Sequence, residues 1–216
     1  MRYCIRDNIV IKTENAAKPV SQASQYLKEL ISGLGHVGRS FDYGCGKLRY
    51  LNGIAKTSDR VVLVDSEVQI TRRQKLYGRM QSAAAAVRKS NRISLINTKQ
   101  FLADVEPFDR GYCINVLSVV PILSLRKVIV DRIYAKLRHG GEAIFVVQYR
   151  NSDFKRMLRL PNSKRWRRGI LMNSLRGYSY YGFISPKELT TMVAEAGFSD
   201  LQLSLNEGSA YVVAKK

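Results

Sequence analysis

Short runs of apolar residues alternate along the chain with stretches whose apolar positions recur every three or four residues. Those are the spacings of buried strands and of helices that bury one face. Their alternation predicts an α/β chain with a mostly parallel sheet and helices on both faces. A leading helical segment, 1–38, carries Leu27, Leu30, Ile31 and Leu34 at helical spacing, so a helix is expected from Ser21 to Leu34. The first strand then ends at Phe41-Asp42, the second is Val61 to Val64 ending on Asp65, and the third runs from Ile93 to Ile96. Gly111 to Val120, interrupted only by Asn115 and Ser118, reads as a longer central strand before a loop at Pro121.

Leu125, Val128, Ile129, Ile133 and Leu137 form the next helical stripe, Gly140-Gly141 stops it, and Ala143 to Val147 make a fifth strand. Ser185-Pro186-Lys187-Glu188 combines a capping serine, a proline at the first helical position and a glutamate three residues after the cap, so a helix starts there and ends at Gly197. Leu201 to Leu205 and Ala210 to Ala214, joined by Asn206-Glu207-Gly208-Ser209, predict a closing antiparallel hairpin. No repeat or linker divides the chain. Residues 1–216 are therefore expected to form one domain, with an insertion at 149–184 between the fifth strand and the last helix.

Composition supports a folded chain: 216 residues suit one domain, and 45% hydrophobic with 25% charged residues exclude a disordered or collagen-like protein. Cys4, Cys45 and Cys113 with two histidines assemble neither a disulfide framework nor a metal cluster, so a reducing, cytoplasmic setting and no metal are expected. No secretory apolar region opens the chain, and no stretch approaches the ~20 apolar residues of a membrane span.

Charge changes the picture more. Thirty-six basic against 17 acidic residues leave a net charge of +19, which suggests a polyanionic partner, RNA or DNA. Seven basic residues and no acid lie between Arg72 and Arg92, and nine basic residues with one acid lie between Arg150 and Tyr180, so these windows hold fifteen of the nineteen charges. The second window falls in the insertion and interleaves rings with the charge. Arg165, Trp166, Arg167, Arg168, Tyr178 and Tyr181 are the candidate substrate-binding residues, since guanidinium groups grip phosphates and rings stack bases. The competing reading is a lid helix packed through Phe154, Met157 and Leu158, with the arginines as its solvated face.

One short loop carries the sharpest chemistry. Ser40-Phe41-Asp42-Tyr43-Gly44-Cys45-Gly46-Lys47-Leu48 places two glycines directly after a strand, where the backbone can turn sharply and approach a ligand. About twenty residues later Asp65 ends the next strand, where a carboxylate can accept hydrogen bonds from both hydroxyls of a ribose. Arg49 stands where a dinucleotide fingerprint needs a small residue, and a Walker A loop is absent.

Asp42, Gly44 and Gly46 with Asp65, the strand pattern and the closing hairpin resemble the class I S-adenosylmethionine-dependent methyltransferase family. The resemblance runs from the leading helix to the C-terminus. It implies a Rossmann-like fold with a seven-stranded, mostly parallel sheet whose antiparallel C-terminal strand comes from the 201–214 hairpin. It also implies S-adenosylmethionine as cofactor, held by Asp42, Gly44, Gly46, Asp65 and Asn115. The family often has a third glycine two residues after the second, and this chain has Leu48 there. More loosely, Ala17-Lys18-Pro19-Val20 with the glycine loop resembles methyltransferases that accompany DNA-modification systems.

Methyl transfer is an in-line displacement in which positioning dominates. The strand-end residues Asn115, Ser118, Gln148 and Tyr149 are placed to face a ligand, and Asn115 and Tyr149 are the catalytic candidates. The stretch 115–121 lacks the Pro-Pro-aromatic motif of adenine-N6 and cytosine-N4 enzymes, and Cys113 lacks the preceding proline of a cytosine-C5 nucleophile, so Cys113 reads as a small buried residue. The leading expectation is a methyltransferase acting on nucleic acid. A small-molecule methyltransferase of the same fold and a non-catalytic nucleic-acid-binding module that keeps the fold are the alternatives.

Overall fold

The computed structural model describes residues 2–5, 9–149 and 152–216. A hairpin of β1 (Arg2–Ile5) and β2 (Ile9–Lys12) precedes α1 (Gln25–Gly33) and β3 (Val37–Tyr43). Next come α2 (Leu51–Lys56), β4 (Ser58–Asp65), α3 (Glu67–Thr71), a small hairpin of β5 (Gln74–Leu76) and β6 (Arg79–Gln81), α4 (Ala83–Val87) and β7 (Ile93–Asn97). The chain continues through α5 (Thr98–Ala103), β8 (Phe108–Ile114), α6 (Leu123–Lys136) and β9 (Leu137–Gln148). It ends with α7 (Ser152–Leu158), β10 (Ser163–Trp166), β11 (Gly169–Ser174), β12 (Gly177–Gly182), α8 (Pro186–Glu195), β13 (Ser199–Asn206) and β14 (Ser209–Lys215).

The central sheet has the order β13-β14-β9-β8-β3-β4-β7, and β14 runs antiparallel between β9 and β13. Strand alternation divides its side chains between two apolar clusters. Val62, Val64, Cys113, Phe145 and Val147 face Phe101 of α5, Ile129 of α6 and Leu189 of α8. Leu63, Tyr112, Ile114, Ile144 and Val146 face Leu27 of α1, Ile54 of α2 and Ala83 of α4. Burial on both faces is why these strands appear in the sequence as unbroken apolar runs. Side-chain caps fix the helix starts: Ser24 Oγ accepts from Leu27 N at 3.0 Å, and Ser185 with Glu188 closes a capping box ahead of Pro186.

Several expected elements shift. The leading segment 1–38 is not wholly helical. Its first twelve residues include two strands, and α1 begins at Gln25 because Ser24, not Ser21, supplies the cap. The strand expected from Gly111 to Val120 is β8, Phe108–Ile114; it stops because Asn115 adopts a left-handed φ of 60°, after which 117–119 form a 3-10 turn. Leu137 belongs to β9, since it pairs with Phe108, so Gly140 and Gly141 lie inside a strand instead of ending a helix.

The insertion is mainly sheet. β10, β11 and β12 form an antiparallel meander, and β12 joins β2 in parallel through Tyr178 and Ile11, giving a second sheet of order β1-β2-β12-β11-β10. Ile11, Leu171 and Tyr180 of this sheet are buried in the cluster that holds Phe145 and Leu189. Chain segments far apart in sequence thus make one cap over the carboxyl ends of the central strands. Arg150, counted in the second basic window, lies outside the described residues.

Candidate functional site

At the end of β3 the backbone turns through Gly44 at φ 79° and Gly46 at φ 54°. A side chain at Gly44 would overlap Val116, so the position requires glycine for space as well as for φ. The loop is tied from the neighbouring strand. Gly44 N donates to Val64 O at 2.7 Å, Gly46 N donates to Asp65 Oδ2 at 2.9 Å, and Ser66 N donates to Asp65 Oδ1 at 2.7 Å. Gln69 Nε2 donates to Gly46 O at 2.5 Å from the other side. Asp65 therefore shapes the glycine loop as well as facing the space above it.

That space is a cleft floored by the ends of β3, β4 and β8 and roofed by the cap, with Tyr3, Glu14, Ala17 and Tyr181 among its walls. Four buried side-chain atoms along its lining have no hydrogen-bond partner: Glu14 Oε2, Gln69 Oε1, Asn115 Oδ1 and Ser118 Oγ. Unpartnered buried polar atoms are costly, and three of these four can only accept. The cleft is thus prepared for a ligand rich in donors, and the ammonium, ribose hydroxyls and adenine amine of S-adenosylmethionine meet that description.

Its electrostatics agree. Burial, reinforced by the Asp65 carboxylate and opposed by Arg49, pushes Asp42 up to about 7. Burial also raises Asp65, against the amide bonds from Gly46 and Ser66 that hold it down. Two carboxylates at the floor favour a positively charged ligand. Burial, then Asp65 and Asp42, pushes the Cys45 thiol well up, and burial with Asp42 does the same to Cys113, so neither supplies a thiolate.

The cleft gathers Asp42, Gly44, Gly46, Asp65 and Asn115, with Ser118 and Gln148 beside them. Tyr149, the other catalytic candidate, is placed differently. It lies one residue beyond the end of β9 and does not line the cleft, and its half-buried ring packs against the core. Of the insertion candidates only Tyr181 reaches the cleft. Arg165 and Trp166 lie on β10, two strands from β12, with Arg167 and Arg168 in the turn beyond, and Tyr178 packs on the core. Arg168 is ion-paired to Glu188. Tyr3, Glu14 and Gln69 were not legible as site residues; the sole pointer was the Ala17-Lys18-Pro19-Val20 stretch, whose Ala17 Cβ lies 3.4 Å from where a Gly46 side chain would begin.

No family model matches the chain. It is 33% identical over 206 residues to the uncharacterized protein YmfD of Escherichia coli (strain K12), covering 94% of this chain and 90% of that one. Among solved structures it is similar to SAM-bound CalS10, an amino pentose methyltransferase from Micromonospora echinaspora, at TM-score 0.62 and 15% identity over 98% of this chain and 100% of the other. It is also similar to 1,6-didemethyltoxoflavin-N1-methyltransferase of Burkholderia thailandensis with bound 1,6-didemethyltoxoflavin and S-adenosylhomocysteine, at TM-score 0.59 and 20% identity over 89% and 77% of the two chains.

Proposed function

This chain belongs to the same family as YmfD and has the Rossmann-like fold of class I methyltransferases, and from that premise we propose that it is an S-adenosylmethionine-dependent methyltransferase. The observation that carries the reading is the glycine loop clasped by Asp65 beneath a cleft lined with unpartnered acceptors. Gly44 and Gly46 would let the cofactor approach the backbone, and Asp65 would offer its remaining lone pairs to the ribose hydroxyls. Asn115 Oδ1, buried at the end of β8, would accept from the ammonium of the methionine portion. When bound, the sulfonium supplies an activated methyl group. The chain's own part is to align the acceptor, exclude water with Tyr3, Val119 and Tyr181, and favour positive charge through Asp42 and Asp65.

The acceptor would enter beside Ser118 and Tyr181. A roof made by the cap favours a small molecule, and the two solved relatives above are, by name, methyltransferases of an amino pentose and of a toxoflavin precursor. A nucleic-acid acceptor, with the looser likeness to methyltransferases of DNA-modification systems, is the second reading. The fifteen charges in the two basic windows favour it.

Calorimetry with S-adenosylmethionine tests the cofactor. Binding is expected, and Asp65→Ala should weaken it by about tenfold or more. No heat of binding, or full affinity after that substitution, would sink the proposal and leave the non-catalytic module. Labelled-methyl transfer into metabolite, RNA, DNA and protein fractions then identifies the acceptor class.

A further inference from the structure

We propose that a second cavity, separate from the cofactor cleft, binds an amphipathic anion: an aromatic or aliphatic body carrying a carboxylate, sulfonate or phosphate. It lies between the N-terminal hairpin and the insertion and has a volume of about 580 Å³, within the usual range of small-molecule sites. Ile5, Ile9, Ile122 and Leu171 give it apolar walls, and Trp166 gives it a ring. Its charged lining residues are Lys164 and Arg167, with no acid among the described residues that line it. Among the described lining residues, apolar walls with Lys164 and Arg167 as the charged groups fit an apolar ligand with a negative head.

The sequence builds this arrangement through strand period. Lys164 and Trp166 stand two apart on β10 and share a face, whereas Arg165 stands between them on the other. After Trp166 the chain turns at Arg167 with a left-handed φ of 50°, a conformation disfavoured for a residue with a side chain, and this returns the guanidinium to 4.7 Å from the centre of the Trp166 ring. Tyr180 meets the same ring edge to face at 5.6 Å and fixes its orientation. The neighbouring Arg168 is neutralised by Glu188, but among the described residues neither Lys164 nor Arg167 pairs with an acid. The cavity is distinct from the cleft, with no described lining residue in common, although neighbouring residues line the two: Tyr3 the cleft and Cys4 the cavity, Val120 the cleft and Ile122 the cavity.

Trp166 is the chain's single tryptophan, so its emission reports this cavity directly. The experiment titrates the full chain with 8-anilinonaphthalene-1-sulfonate, an aromatic anion, and with neutral N-phenyl-1-naphthylamine, reading quenching of Trp166. Saturable quenching by the anion is expected, unaffected by saturating S-adenosylmethionine. Lys164→Gln with Arg167→Gln should weaken it about tenfold or more, and Arg165→Gln should leave it unchanged. Arg167→Gly, which suits the left-handed backbone, keeps the test valid should the double variant fail to fold. The proposal falls if the neutral probe binds equally well, if Arg165→Gln weakens binding as much as Arg167→Gly, if S-adenosylmethionine displaces the probe, or if no quenching occurs. None of these readouts depends on methyl transfer.

Discussion

At position 48, where related glycine loops often carry a third glycine, a leucine holds φ at 59° with its side chain 1% exposed in the cluster around Leu51 and Ile54. Burial outweighs backbone strain here, because burying a leucine is worth about 2 kcal/mol or more while a left-handed residue costs about 1–2 kcal/mol. Once the side chain is removed the balance reverses. Leu48→Gly should therefore be more stable than Leu48→Ala by roughly 1 kcal/mol, the opposite of their order in a helix, as denaturant unfolding would measure. The departure from the glycine pattern was visible in the sequence, but the packing that compensates for it was not, since it depends on which helix lies opposite. Asp42 gives a pH-dependent prediction. Its carboxyl sits at about 7 when folded and near 4 when unfolded, so between those values the native state binds the extra proton and stability falls as pH rises. Thermal midpoints of the ligand-free protein should drop from pH 5 to pH 8, and Asp42→Asn should flatten that slope.

The hairpin β1–β2 supplies an edge of the cap and places Tyr3 in the cleft. Removing residues 1–12 should leave the central sheet folded but strip β12 of its neighbour, so amide exchange along 177–182 should accelerate while that of 61–64 stays slow. S-adenosylmethionine affinity should fall in the same variant, because the roof of the cleft goes with the hairpin. Little of this was legible in advance. The apolar runs of β4, β8 and β9, buried on both faces, announced themselves through composition alone, and so did the Ser185-Pro186 helix start, whose caps are local chemistry. β1 and β2 span four residues each, and β2 meets β12 through a pairing that no local pattern encodes. In the insertion, charge and rings drew attention to Arg165–Arg168, whereas strand order decided that Tyr181 alone reaches the cleft.

Across the whole molecule the positive charge is less concentrated than its count suggests. Arg92 donates to the carbonyls of Ala55, Ser58 and Asp59, and Arg72 donates to Glu14 O and Gln74 Oε1, so part of the first window braces the fold. Arg165, Arg167 and Arg168 lie at the far edge of the cap. Neutralising all three to glutamine should reduce binding to tRNA and duplex DNA at low salt, with a shallower dependence on salt, and leave S-adenosylmethionine affinity unchanged by calorimetry. The lost Arg168 to Glu188 pair, partly exposed, should lower stability by no more than about 1 kcal/mol. The pairing of Ile11 with Tyr178 also has a consequence in time. On the ribosome, at about 5–20 residues per second, the first strands emerge on the order of ten seconds before the strand they must join, and they wait with an open edge. The roof of the cleft closes only after the insertion has been made, so a nascent chain that stops short of β12 emerges with its glycine loop uncovered.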